Sequence, residues 1–175
     1  MKLDFIYYGN PILRKKAKPV ESISDEIKQL VDVMIAAMDQ KDGIGLAAPQ
    51  VNHSIALFIT RAPIENDEND EWEKGEVRVF INPKILSYSS DEDSFNEGCL
   101  SIPKVYGDVF RPIKIKVEAT NLEGKRFTED FSGMSARVIL HENDHLNGVL
   151  FIDRLDTSER KKIDSKLREI KKKFG

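Results

Sequence analysis

Val138-Ile-Leu-His-Glu-Asn-Asp-His145-Leu-Asn-Gly148 sets two imidazoles four residues apart, with a carboxylate directly after the first. On a helix of 3.6 residues per turn, His141 and His145 share a face about one turn apart, close enough to grip one metal ion. Glu142 then stands beside the ion's open position, where a bound water can give up its proton. The pattern is short, and its plain alternative is a pair of surface histidines on an ordinary amphipathic helix. Against that alternative, the chain has 3 histidines and two of them lie here. Val138, Ile139, Leu140 and Leu146 around them also predict that part of the helix is buried.

A catalytic ion usually has three protein ligands and one open position, so a third ligand is needed. The single cysteine, Cys99, lies in Phe95-Asn-Glu-Gly-Cys-Leu-Ser-Ile-Pro103, where the preceding Glu-Gly and following Pro predict a short, shaped strand edge. A lone cysteine is more often an inert core residue; its local company makes Cys99 a candidate here. One thiolate with two imidazoles would favour zinc, iron, cobalt or nickel over magnesium or calcium. His53 reads as a surface or turn residue.

Outward from the motif, Asn147-Gly148 predicts the end of the helix, and Val149-Leu-Phe-Ile152 a short apolar strand. Asp156 or Thr157 can cap a last helix carrying Ile163, Leu167, Ile170 and Phe174 as a narrow stripe with a basic outer face. Upstream, Ile113-Lys-Ile-Lys-Val-Glu-Ala119 alternates and turns at Asn121-Leu-Glu-Gly124 into Lys125–Phe131, a hairpin with one polar face. Val77-Arg-Val-Phe-Ile81 reads as a strand ending in a turn at Asn82-Pro83, and Ile55–Thr60 as a buried strand. Between them, Glu65–Glu76 holds seven acidic residues and Trp72, and reads as an exposed loop. Ser22 or Ser24 can cap a first helix with Ile27, Leu30, Val31, Met34, Ile35 and Met38 on its apolar face, stopped by Gly43. Asn10-Pro11 and Lys18-Pro19 mark turns in an arm pinned by Ile12, Leu13 and Val20.

A length of 175 residues suits one domain, residues 1–175. Hydrophobic residues at 40% and charged residues at 33% are ordinary for a soluble protein. No apolar run approaches the ~20 residues of a bilayer span, and the start resembles neither a secretory nor an organelle-targeting segment. One cysteine forms no internal disulfide, so a reducing cytoplasm is expected. The net charge of −3 is unevenly spread: Thr157–Gly175 carries +5 and the remainder −8.

Three blocks, Gly43-Ile-Gly-Leu-Ala-Ala-Pro-Gln50, Glu97-Gly-Cys-Leu-Ser101 and His141-Glu-Asn-Asp-His145-Leu, resemble in order and spacing the three signature motifs of the peptide deformylases. The resemblance extends from Gly9-Asn-Pro-Ile-Leu-Arg14 through the final helix. It implies an α+β fold in which small antiparallel sheets pack around a central metal-binding helix, with a C-terminal helix. It implies removal of the N-formyl group from the initiator methionine of new proteins, releasing formate. Cys99, His141 and His145 would hold one divalent ion, ferrous iron expected, with zinc, nickel or cobalt as substitutes. Glu142 would move the proton, and the Gln50 amide and Leu100 N–H would steady the developing oxyanion.

The resemblance also implies that N-formylmethionyl peptides bind as an added strand beside Gly45 and Gly98, which leaves selectivity to the methionine side chain. Helical spacing puts Met134, Arg137 and Val138 on the metal-facing side, where they could line that pocket with Ile44 and Leu46. Arg137 would wall it with its aliphatic stem while its charge reaches water. Glu97 and Arg111 are candidates to support the ligands. The expected partners are nascent peptides; the basic face of the last helix reads as a solvated surface, with contact to ribosomal RNA as the rival reading; no membrane or DNA partner is expected, and the protein should be a monomer. The rival reading is a zinc protease whose third ligand is Glu159 or Glu169, and a third is a metal-binding or docking protein without catalysis.

Overall fold

A computed structural model describes residues 1–66, 68 and 71–174. In chain order its helices and strands are α1 (Asp25–Gln40), β1 (Gly45–Ala47), β2 (Leu57–Thr60), β3 (Ile64–Asn66), β4 (Glu71–Glu73), β5 (Arg78–Tyr88), β6 (Glu92–Cys99), β7 (Ile102–Pro112), β8 (Lys114–Thr120), β9 (Arg126–Ser132), α2 (Gly133–Leu146) and α3 (Thr157–Phe174). The fold is α+β. A five-stranded antiparallel sheet in the order β1-β2-β5-β8-β9 lies on one side of α2, and the β6–β7 ribbon on another.

The elements follow from residue chemistry. Ser24 caps α1 by accepting from the Ile27 N–H at 3.3 Å, with Asp25 and Glu26 in the favourable first turn. Leu30, Val31, Met34 and Met38 are buried along one stripe against Leu46, Leu57 and Ile59. Asp42, rather than Gly43, takes the left-handed turn after the helix, with φ 55°. Gly43 answers a different need: a Cβ there would lie 2.9 Å from Leu100 Cδ1. Ile115, Val117 and Ala119 of β8 turn inward to meet Ala136, Ile139 and Leu140 of α2 over Phe58, Phe80 and Phe131. Asp156 caps α3 through the Glu159 N–H at 2.8 Å, and Ile163, Leu167 and Ile170 bury against Val105 and Val109 of β7.

The N-terminal arm is fastened at widely separated places. Ile6 N–H donates to Gln50 O at 2.8 Å, Tyr8 N–H to Ser101 O at 2.9 Å and Ala17 N–H to Leu146 O at 2.8 Å. Asn10 caps a short turn (Pro11–Arg14) that buries Leu13.

Three local expectations are corrected. Asn82-Pro83 does not end a strand: β5 runs on to Tyr88 across a register shift between Ile81 and Lys84. A bulge accommodates Pro83, which has no N–H to offer, and Asn82 (φ 50°) uses its amide to bond Val20 N–H and O, both at 2.8 Å. Residues 149–152 form no strand, because the chain tightens into a single 3-10 turn (Phe151–Arg154) that drives Phe151 and Ile152 into the core. The acidic 65–76 stretch is not a plain loop, since β3 and β4 pair antiparallel, Glu65 opposite Trp72; its residues 67, 69 and 70 lie outside the described residues.

Candidate metal centre and active site

The ribbon brings Cys99 to α2. β6 and β7 pair regularly from Glu92↔Pro112 to Gly98↔Tyr106, then the register jumps so that Cys99 stands opposite Ile102. Cys99 Sγ lies 3.4 Å from His145 Nε2, and one donor atom each from Cys99, His141 and His145 fall within 4.8 Å of one another. Metal–sulfur and metal–nitrogen bonds of about 2.3 and 2.1 Å put neighbouring tetrahedral ligands about 3.5 Å apart, so these residues suit one ion with a position to spare. The third histidine, His53, is in the turn after β1 and takes no part. Neither Glu159 nor Glu169 joins the donor group: Glu159 pairs with Lys162 at 3.1 Å, and Glu169 sits on the rim of the cleft.

Behind the donors lies a buried ionic lattice. His141 Nδ1 is 2.9 Å from Glu97 Oε1, which fixes the ring with Nε2 toward the cage. Glu97 also accepts from Arg111 Nε at 2.6 Å, Arg111 Nη2 at 3.0 Å and Arg137 Nη1 at 2.7 Å. Burial alone would raise the Glu97 pKa, but the bonds from His141 and Arg111 outweigh it and hold the carboxyl far below the usual range. Arg111 reaches on to Asp144 at 3.0 Å, which Arg154 grips with two bonds at 2.6 and 2.8 Å. Glu97 and Arg111 had been legible as supports. Asp144 and Arg154 had not, although Asp144 follows His141 by one helical turn. Arg137 departs from expectation: it is only 5% exposed, and instead of reaching water its guanidinium is held by Glu97, Asp93 and Val109 O.

His145 is pushed well below its ordinary pKa, by burial first and then by the charge at His141; that keeps it neutral, the ligating form. At His141 burial also opposes protonation, yet Glu142, Cys99 and Glu97 around it prevail and raise its pKa.

Glu142 is 4% exposed and its Oε1 has no hydrogen-bond partner, while Oε2 lies 3.9 Å from His141 Nε2. Burial, with help from the charges of Glu97 and Asp144, pushes its carboxyl up to about 7, against the pull of His141 and Arg111. A Cβ on Gly45 would lie 2.5 Å from Glu142 Oε2, so β1 passes this carboxylate at a distance only glycine permits. Gln50 is 1% exposed; its Oε1 accepts from Ala47 N–H at 2.9 Å, which aims Nε2 at Ser101 Oγ (3.1 Å) and Cys99 Sγ (3.5 Å).

These groups open onto a cleft of about 1160 Å³. Of the expected contact residues, Ile44, Gly45, Gly98, Met134, Arg137 and Val138 line it, as does Leu100. Leu46 does not: its side chain is fully buried against α1, because successive residues of a strand face opposite ways and its neighbour Gly45 is the one that faces Glu142. Phe95 and Tyr106, 45% and 63% exposed, are cleft residues that no motif in the sequence marked.

Comparison with known proteins agrees with this geometry. A family model described as Polypeptide deformylase matches residues 2–161. A peptide deformylase of Christiangramia forsetii is 43% identical, over 98% of this chain and 91% of its own. The chloroplastic/mitochondrial peptide deformylase 1B of Arabidopsis thaliana is 40% identical over 98% of this chain, which spans 61% of that longer protein. Among solved structures, a Plasmodium falciparum peptide deformylase superposes with a TM-score of 0.88 at 35% identity, covering 98% of this chain and 96% of the other. The Met-Ala-Ser-bound class I type b enzyme from Acinetobacter baumannii does so at 0.81 and 37%, covering 89% and 99%.

Proposed function

The chain belongs to the polypeptide deformylase family, and from that premise we propose how its own residues remove the N-formyl group from newly made proteins in a metal-dependent hydrolysis. The observation that carries the proposal is the convergence of Cys99, His141 and His145 donor atoms within 4.8 Å at the floor of a peptide-sized cleft, with Glu142 beside them. These three would hold the ion. Once bound, a divalent cation acts as a Lewis acid that makes water nucleophilic near neutral pH.

Glu142 takes a proton from the water that adds to the formyl carbon. The carbon–nitrogen bond then breaks, Glu142 returns the proton to the departing amine, and formate leaves. Its uncompensated burial supports this role, because a carboxyl with a pKa of about 7 can both accept and release a proton near neutrality. Gln50 Nε2 and the Leu100 N–H donate to the oxygen that gains charge; the locked Gln50 amide supports this, and losing one such donor would cost about 3 kcal/mol of barrier. Arg111 and Glu97 keep the His141 ring in place. The peptide adds as a strand beside β1, an edge of its sheet, and near Gly98. The methionine side chain enters between Ile44, Met134 and Val138, with Arg137 ion-paired behind.

The thiolate and imidazole donors suit iron, zinc, nickel or cobalt, and family membership makes ferrous iron the expected ion; such a centre would lose activity to peroxide through oxidation of ion or sulfur. The three donors and the cleft lie within one domain, which is the unit we take to be active, as a monomer. Among the described residues no helix is long and apolar enough to cross a membrane, and a free thiol in the cage suits a reducing cytoplasm. Lys161, Arg168 and Lys172 of α3 are exposed and form the basic face that a contact to ribosomal RNA would use. The test is to incubate anaerobically metallated protein with a formyl-Met peptide and its unformylated twin. Formate from the first alone, with iron bound one to one and lost in Cys99→Ala, is the expected result. Internal cleavage of either peptide, or metal retained without the thiol, would refute it.

A further inference from the structure

The cleft continues past the reacting centre to a rim that carries charge. Lys41 and Asp42 precede the Gly43–Gly45 wall, Lys104 follows the Cys99 turn, and α3 contributes Lys166, Glu169 and Lys173. That makes four cations against two carboxylates, and among the described residues none of the four lysines lies within 4.0 Å of an acidic group. Two are steadied by rings instead. Lys41 Nζ sits 4.6 Å from the Phe5 centroid, and Lys173 Nζ 5.1 Å from that of Phe174, whose ring stacks on Tyr7 at 4.2 Å. Their charge therefore stays at the rim, unneutralised by the protein.

What passes over this rim follows from reach. Lys41 is four residues from Gly45, at most ~14 Å along the chain. An extended peptide advances ~3.3 Å per residue, so a chain bound with its formyl group at the cage brings about its third to fifth residues there. Main-chain pairing beside Gly45 and Gly98 is blind to sequence, and the methionine is common to every substrate. Charge at the rim is thus the feature left to tell one new protein from another.

Building on the deformylase reading, we propose that Lys41, Lys104, Lys166 and Lys173 form a downstream subsite that favours acidic side chains at the third to fifth residues of the formylated chain and disfavours basic ones. The test compares kcat/KM for three formyl-Met-Ala pentapeptides continuing with three Asp, three Ser or three Lys, at low and at high ionic strength. At low ionic strength the acidic peptide should exceed the basic one by about fivefold, shrinking toward parity as salt screens exposed charges. A Lys41→Gln/Lys173→Gln double variant should lower that ratio. Equal values for the acidic and basic peptides, or a ratio the double variant leaves intact, would overturn the subsite. So would a flat peptide ratio with weakened binding of a single-stranded RNA oligonucleotide by the double variant, which would make the rim a nucleic-acid face. Failure to release formate from the neutral peptide would instead refute the deformylase reading itself.

Discussion

The two sides of α2 are built from opposite materials. Toward the five-stranded sheet, Ala136, Ile139 and Leu140 pack among Phe58, Phe80, Ile115 and Phe131, with Phe58 and Phe80 stacked 4.9 Å apart. Toward the β6–β7 ribbon, Arg137, His141 and Asp144 meet Glu97 and Arg111, all buried. The apolar side stabilises the helix by removing surface from water and tolerates changes that conserve volume. The ionic side contributes little net stability, because desolvating charges offsets much of their attraction. Its yield is position, a His141 ring whose orientation is dictated by a carboxylate that two arginines immobilise. Glu142, equally buried, is left out of this lattice, and the contrast with Glu97 separates a group that holds from a group that exchanges a proton.

Breaking the contrast at Glu142 should have the largest effect. Glu142→Gln removes the proton carrier and should lower kcat about 10²- to 10⁴-fold while bound metal, measured by atomic absorption, stays at the native level; metal lost in proportion to activity would make Glu142 a structural member of the cage. Next comes Glu97→Gln, which keeps one acceptor oxygen but removes the negative charge that Arg111, Arg137 and His141 share. Urea unfolding should show about 3–5 kcal/mol of lost stability, and chelator competition a 10- to 100-fold weaker metal site; an unchanged affinity would deny the lattice its positioning role. Ile139→Val, on the apolar side, should be mildest. It should cost about 1 kcal/mol by urea unfolding with kcat/KM preserved, and a large fall in kcat would mean that the two sides of α2 are not separable in function.

Legibility in the sequence followed the same division. Where periodicity and burial agree, as along Lys114–Thr120 and the stripes of α1 and α3, apolar spacing was enough to foresee the elements. The ligand trio was also readable, since donor identity and spacing carry the chemistry themselves. The β6–β7 ribbon was harder to read, because Glu97 and Arg111 occupy inward positions that alternation reserves for apolar residues. A buried charge becomes intelligible only when its partner is known, and the partners here lie 14 to 44 positions away. For the same reason Arg137 was expected to reach water. Pro83 misled for a local reason: a bulge lets a strand continue through a residue that normally ends one.

The fastening of the N-terminal arm sets an order of events during the protein's own synthesis. Ala17 has no bonding partner until Leu146 has been made, and Tyr8 must wait for Ser101. The arm is thus made well before its partners and settles late, and the donor group of positions 99, 141 and 145 cannot assemble until most of the fold has been synthesised. A chain cut short before Leu146 would leave the arm unfastened and lack donors of the cage, so neither feature belongs to any shorter fragment of the fold.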